Sequence, residues 1–162
     1  MKTVLIAVAS ALTVGSLPSL AGGGGVCEIE GTGSSDVLRG TPSSDVICGR
    51  SGNDTIRGLD GDDWLIGGKG SDRIIGGGGP DQMQGGQHRD YLAGGPGRDL
   101  LQGENRIDRH VGGRGRDCID ASEQDHQGGD VVFGGPHDDQ VIADPGDIVR
   151  SADEVSRCSW WL

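Results

Sequence analysis

An apolar side chain recurs every nine residues along most of the chain: Leu38, Ile47, Ile56, Leu65, Ile74, Met83, Leu92, Leu101 and Ile119, with His110 in the one remaining place. Its immediate neighbours are mixed, among them Arg39, Arg57, Arg73, Gln82, Gln84 and Gln102. Three residues that alternate out, in, out predict a very short β-strand with only the middle side chain turned inward. Glycine stands at 31, 40, 49, 58, 67, 76, 85, 94, 103 and 112, and aspartate follows each one five residues later, from Asp36 to Asp117. So much glycine between the apolar positions excludes helix. The pattern predicts units of nine residues numbered from glycine, each a six-residue loop and a three-residue strand with position 8 inward.

A chain that alternates loop and strand can coil into two stacked parallel sheets, with two units to the turn and loops stacked along two edges. Successive turns then lie about 4.8 Å apart, which brings together carboxylates eighteen residues apart. Their repulsion would open the coil, and a divalent cation between them reverses it. Ca²⁺ fits such a gap, because it takes six to eight oxygen ligands in irregular geometry, and glycine lets loop carbonyls turn inward. Mg²⁺ demands a tighter octahedron, and Zn²⁺ wants Cys or His, which the loops do not supply regularly.

The bulk numbers agree. The chain has 162 residues, the size of one domain, with 33 glycines and only five aromatic residues, too few for a conventional core. A net charge of −11 argues against nucleic acid and anionic membranes and favours cations. Residues 1–21 read as a secretory signal rather than an anchor or a buried strand. Lys2 is followed by the apolar run Val4–Val14, too short to span a membrane comfortably, and by a small-x-small cleavage site at Ser19-Leu20-Ala21. No other stretch is apolar and long enough to insert in a membrane. Four cysteines in a chain bound for an oxidising compartment imply disulfides. Three pairings are open; Cys27–Cys48 and Cys118–Cys158 are favoured because each would staple one end of the repeats.

Gly67-Gly68-Lys69-Gly70-Ser71-Asp72-Arg73-Ile74-Ile75 resembles the RTX, or haemolysin-type, calcium-binding nonapeptide throughout, as do the segments 94–102 and 112–120. The resemblance implies an all-β, right-handed parallel β-roll over residues 31–142, between an N-terminal cap (22–30) and a C-terminal cap (143–162) in which Trp160, Trp161 and Leu162 could cover the open end. It also implies several Ca²⁺ ions held between loops of successive turns by loop carbonyls and by Asp36, Asp45, Asp54, Asp63, Asp72, Asp81, Asp90, Asp99, Asp117, Asp130 and Asp139. The last two follow a phase slip at about Ala121–Gln124. Position 4 departs from glycine at Ser34, Ser43, His88, Arg106 and His137, so those loops should bind less well. The edge carrying Asp63, Asp81, Asp99 and Asp117 keeps Gly61, Gly79, Gly97 and Gly115 and should hold the better sites; Asp54 and Asp72 form the best pair on the other edge. Arg106 and His110 make Asp108 the weakest position.

The expected function is calcium binding by a secreted, extracellular roll that folds when Ca²⁺ binds, with no nucleic-acid or membrane partner. A surface-recognition module for polysaccharide or another cell is the alternative. Enzymatic activity is not expected: there is no H-E-x-x-H or G-x-S-x-G, the histidines share no spacing, and the carboxylates recur alike where catalysis needs one special pair. Ice binding would want a flat row of Thr or Asn. The outward positions instead read Val37, Thr55, Arg73, Tyr91, Arg109 on one face and Val46, Trp64, Gln82, Leu100, Cys118 on the other.

Overall fold

The computed structural model describes residues 3–6, 27–122, 129–150 and 154–155. The odd-numbered strands are β1 (Thr3–Ile6), β3 (Asp36–Arg39), β5 (Thr55–Asp60), β7 (Arg73–Gly78), β9 (Tyr91–Pro96), β11 (Arg109–Arg114), β13 (Val131–Phe133) and β15 (Ile148–Arg150). They form one parallel sheet in that order. The even-numbered strands are β2 (Ile29–Glu30), β4 (Val46–Ser51), β6 (Trp64–Lys69), β8 (Gln82–Gln87), β10 (Leu100–Asn105), β12 (Cys118–Asp120), β14 (Gln140–Ile142) and β16 (Glu154–Val155). They form the second. Consecutive strands therefore alternate between sheets, and each strand pairs in parallel with the strand two later. This is the predicted two-unit turn, and the fold is an all-strand parallel solenoid. Among the described residues there is no helix, and none long and apolar enough to cross a membrane.

Position 8 behaves as the pattern predicts. Leu38, Ile47, Ile56, Leu65, Ile74, Leu92, Leu101, Ile119, Val132 and Val141 have no exposed surface and stack as a narrow core between the sheets. One inward side chain per unit leaves little apolar area to bury, so the ladder hydrogen bonds and the polar edges carry an unusual share of the cohesion.

The strands are longer than predicted. In the central units they run for six residues, from position 7 through position 3 of the next unit, and only positions 4 to 6 turn. Pairing continues past the glycine at position 1: Arg50 stands opposite Gly68 and Ser51 opposite Lys69, and the amide of Gly61 still donates to the carbonyl of Gly78 at 2.8 Å. Parallel turns in fixed register satisfy these backbone groups against one another whatever the side chains are, so the glycines bend the strand without ending the ladder.

The four-residue phase slip is absorbed without loss of pairing. Leu100 pairs with Cys118 at the usual spacing of eighteen, but Cys118 pairs with Gln140 and Arg109 with Val131, both at twenty-two. Two expectations meet strands where they did not place them. Thr3–Ile6, within the expected signal, lies along β3, and β15 and β16, within the expected C-terminal cap, prolong both sheets. Trp160, Trp161 and Leu162 lie outside the described residues. Cys27 and Cys48 are disulfide-bonded and tie the chain entering the roll to β4. Cys118 is disulfide-bonded as well, while Cys158 lies outside the described residues.

Candidate metal centre

Each position-6 aspartate closes the turn between two strands, and the coil stacks these turns in two rows. Asp36, Asp54, Asp72, Asp90, Asp108 and Asp130 form one; Asp45, Asp63, Asp81, Asp99, Asp117 and Asp139 form the other. All twelve are at most 6 % exposed. Their backbones belong to the ladder, as where the amide of Gln82 donates to the carbonyl of Asp63. From the second member of each row onward the side chains are also built in: Oδ1 accepts a hydrogen bond from the aspartate amide one turn earlier. Asp54 N–H donates to Asp72 at 2.7 Å, and Asp81 N–H to Asp99 at 3.0 Å.

The second oxygen is a different matter. Oδ2 of Asp54, Asp63, Asp72, Asp81, Asp90, Asp99 and Asp117 is buried and accepts no hydrogen bond. Burial pushes these carboxyls up: Asp63 and Asp117 to about 6, Asp72 and Asp81 to about 7, Asp90 and Asp99 to about 8, with Asp54 raised as well. The hydrogen bond from the neighbouring aspartate amide pulls the other way, and neighbouring carboxylates add repulsion. Columns of buried carboxylate oxygens without donors are stable as anions only if a cation lies among them.

The space beside those oxygens is shaped by the position-1 glycine. A Cβ on Gly67 would stand 2.5 Å from Asp72 Oδ2 and 2.6 Å from the carbonyl oxygen of Gly85; on Gly49 it would meet Asp54 Oδ2 at 2.5 Å and the Gly67 carbonyl at 2.6 Å. Gly58, Gly76, Gly94 and Gly112 repeat the arrangement on the other edge. The missing side chain thus lets a carboxylate oxygen of its own unit and a carbonyl oxygen of the next turn pack directly against the glycine. Both are hard oxygen donors, the set that Ca²⁺ takes and Zn²⁺ does not prefer.

A model of the RTX calcium-binding nonapeptide repeat matches the chain in four copies, over residues 30–65, 49–83, 66–101 and 126–147, together more than half its length. The chain belongs to this RTX repeat family. Nonapeptide repeats of the RTX type bind Ca²⁺, several ions across successive repeats. No curated protein matches the chain significantly.

Within that family frame the two edges of this RTX roll differ unit by unit. At the first two units threonine occupies position 2. Thr32 donates to Asp36 Oδ2 through its amide at 2.6 Å and its hydroxyl at 2.8 Å; Thr41 does the same for Asp45 Oδ2, at 2.7 and 3.1 Å. The oxygen that lacks a donor elsewhere has two here. Those loops were expected to be weaker because of Ser34 and Ser43; the threonines supply a separate reason. His88, Arg106 and His137 at position 4 hold φ of +82°, +79° and +120°, the region that glycine occupies at Gly61 and Gly70. The turn keeps its shape there at a conformational cost of about 1 kcal/mol each.

One member of the row escapes the nine-residue count. Asp147 takes the place of the next row aspartate: its Oδ1 accepts from the amides of Gly129 (2.8 Å) and Asp130 (3.0 Å), and its Oδ2 from Asp144 (2.7 Å). It follows Asp130 by seventeen residues, so a strict period passes it over. Asp108, read as the weakest position, continues its row without a break, since the Asp90 amide donates to its Oδ1 at 2.7 Å. What distinguishes that unit is His110, which has no exposed surface and which burial holds neutral, with its pKa lowered to about 4.

Proposed function

We propose that this chain is a secreted calcium-binding roll whose folding and ion uptake are one event. The reading rests on the buried Oδ2 atoms of Asp54, Asp63, Asp72, Asp81, Asp90, Asp99 and Asp117, none with a hydrogen-bond donor and each packed against a position-1 glycine together with a carbonyl oxygen of the next turn. Without ions those charges repel across every turn, and the thin core is a weak counterweight. With ions at a thousand times the dissociation constant, each site contributes about 4 kcal/mol if the unfolded chain does not bind. The ions that bind would include those held by Asp54, Asp63, Asp72, Asp81, Asp90, Asp99 and Asp117. Because Ca²⁺ is scarce inside cells and plentiful outside, such a chain would travel unfolded and close after export, in keeping with the leader-like segment at residues 1–21. The test is circular dichroism and calorimetric titration of the metal-stripped chain. The expected result is little β signal in chelator and cooperative recovery with several Ca²⁺ bound. A chain that stays fully folded in chelator would overturn the coupling.

A second reading, recognition of an anionic polysaccharide, is favoured by one observation. Along the outer face of the odd-numbered strands Arg73 lies 4.3 Å from the Tyr91 ring centre, Arg109 lies 5.9 Å from Tyr91 and 5.1 Å from Phe133, and Arg150 lies 5.9 Å from Phe133. Alternating guanidinium and aromatic groups on an otherwise acidic chain suit uronate-type sugars. Glycan-array binding by the calcium-loaded chain, lost in Tyr91→Ala, tests it; no glycan retained would dismiss it.

A further inference from the structure

His110 occupies a place that an aliphatic residue fills in the other units, and it does not behave as core filler. It has no exposed surface, and neither ring nitrogen has a hydrogen-bond partner. Its Nδ1 lies 3.7 Å from Asp130 Oδ2. A buried imidazole without donor or acceptor contacts is costly, and a leucine would avoid that cost.

The ring is aimed at the metal row. In the units before it, the atoms packed against the position-1 glycine are an aspartate oxygen and a carbonyl oxygen of the next turn. Beside Gly103 the nearest atoms are the Asp108 carboxylate oxygen and two atoms of His110, with Nε2 2.9 Å from where a Cβ would stand. A nitrogen has taken the position of an oxygen. Ligand atoms of Asp108, His110 and Asp130 all lie within 4.8 Å of one another, and all three residues are buried.

We propose that Asp108, His110 and Asp130 form a separate site for a divalent transition metal of the zinc class, set into the calcium row. Imidazole nitrogen is a ligand of Zn²⁺, Co²⁺ and Ni²⁺ and a poor one for Ca²⁺, whose sites are built from oxygen. One nitrogen and two carboxylates make three protein ligands, leaving a fourth position of a tetrahedral ion for water. The row would then carry two kinds of ion, with the histidine selecting between them.

The site requires a folded roll, so zinc is added to the full chain already saturated with Ca²⁺. Calorimetry is expected to show one tight Zn²⁺ site that excess Ca²⁺ does not displace. His110→Leu, which restores the aliphatic residue of the other units, should weaken it on the order of 100-fold or more while leaving calcium-loaded circular dichroism intact. The variant His88→Ala/His126→Ala/His137→Ala leaves His110 as the sole histidine and should keep the site. X-ray absorption of that zinc-loaded variant should show an imidazole nitrogen, a readout that needs no His110 substitution. Unchanged zinc affinity in His110→Leu, or an all-oxygen shell in the triple variant, would overturn the proposal. Failure of the calcium reading would appear instead as absent Ca²⁺ uptake in the parallel calcium titration.

Discussion

Seven row aspartates, Asp54, Asp63, Asp72, Asp81, Asp90, Asp99 and Asp117, perform two jobs with two oxygens. Oδ1 ties one turn to the turn before it through an amide, and Oδ2 is left for an ion. Replacing Asp72 with Asn separates them, because an amide oxygen can still accept the Asp54 N–H while the charge is gone. Asp72→Asn should therefore keep the fold in saturating Ca²⁺ but weaken binding at its site about tenfold or more, equivalent to about 1.4 kcal/mol. Asp36→Ala should do the reverse. Its Oδ2 already receives the Thr32 amide and hydroxyl, and only Oδ1 at the start of the row lacks a donor, so ion affinity should fall less than in Asp72→Asn, while loss of those hydrogen bonds lowers the thermal midpoint. Calcium calorimetry and thermal unfolding on the two variants check this pair. Equal loss of calcium affinity in both would show that the threonine-capped loops are full ion sites after all.

The element is a six-residue bent strand and a three-residue turn, and its glycines are not equivalent. Gly67→Ala places a methyl group 2.6 Å from the Gly85 carbonyl, a backbone atom within β8, and 2.5 Å from Asp72 Oδ2. It should cost about 2 kcal/mol and remove a calcium equivalent. Gly33→Ala meets nothing within 4 Å and is expected to be neutral or slightly stabilising. Thermal unfolding in excess Ca²⁺ distinguishes them. This scale also shows what the sequence could reveal. The inward residues from Leu38 to Ile119, the two aspartate rows and the edge sorting are legible because in a solenoid each residue meets its counterpart eighteen positions on, so spatial neighbours appear as a period. Strand length is not legible: the ladder resumes past Gly58, at Leu59 and Asp60, by backbone pairing that no side chain announces. Asp147 is hidden by a spacing of seventeen, and the threonine caps by the variety allowed at position 2. The misfit of His110 is visible in the sequence, but its approach to Asp130 depends on a twenty-two-residue step across the phase slip.

At the scale of the whole molecule the columns of carboxylates behave as one titrating system, and this gives calcium binding a definite pH dependence. In the metal-free roll burial foremost, and carboxylate neighbours after it, raise Asp72 and Asp81 to about 7 and Asp90 and Asp99 to about 8, from an ordinary value of 3.8. Between those limits the folded metal-free chain holds more protons than the unfolded one. Its stability therefore falls as pH rises through this window, being greatest below about 4 and lowest above about 8. Wherever the metal-free chain is folded, Ca²⁺ must displace the same protons, so its affinity should climb over that interval and level off where the empty chain unfolds. The chelated chain should accordingly show more β signal at pH 5 than at pH 8, whereas calcium titrations should show tighter binding at pH 8. Titrations in buffers of different ionisation enthalpy should register protons released with each ion near pH 6. Calcium affinity that stayed flat from pH 5 to pH 8 with no proton release would overturn this pH dependence: the metal-free chain would then be unfolded over the whole interval, its carboxylates ionised at their ordinary values and without protons for the ion to displace.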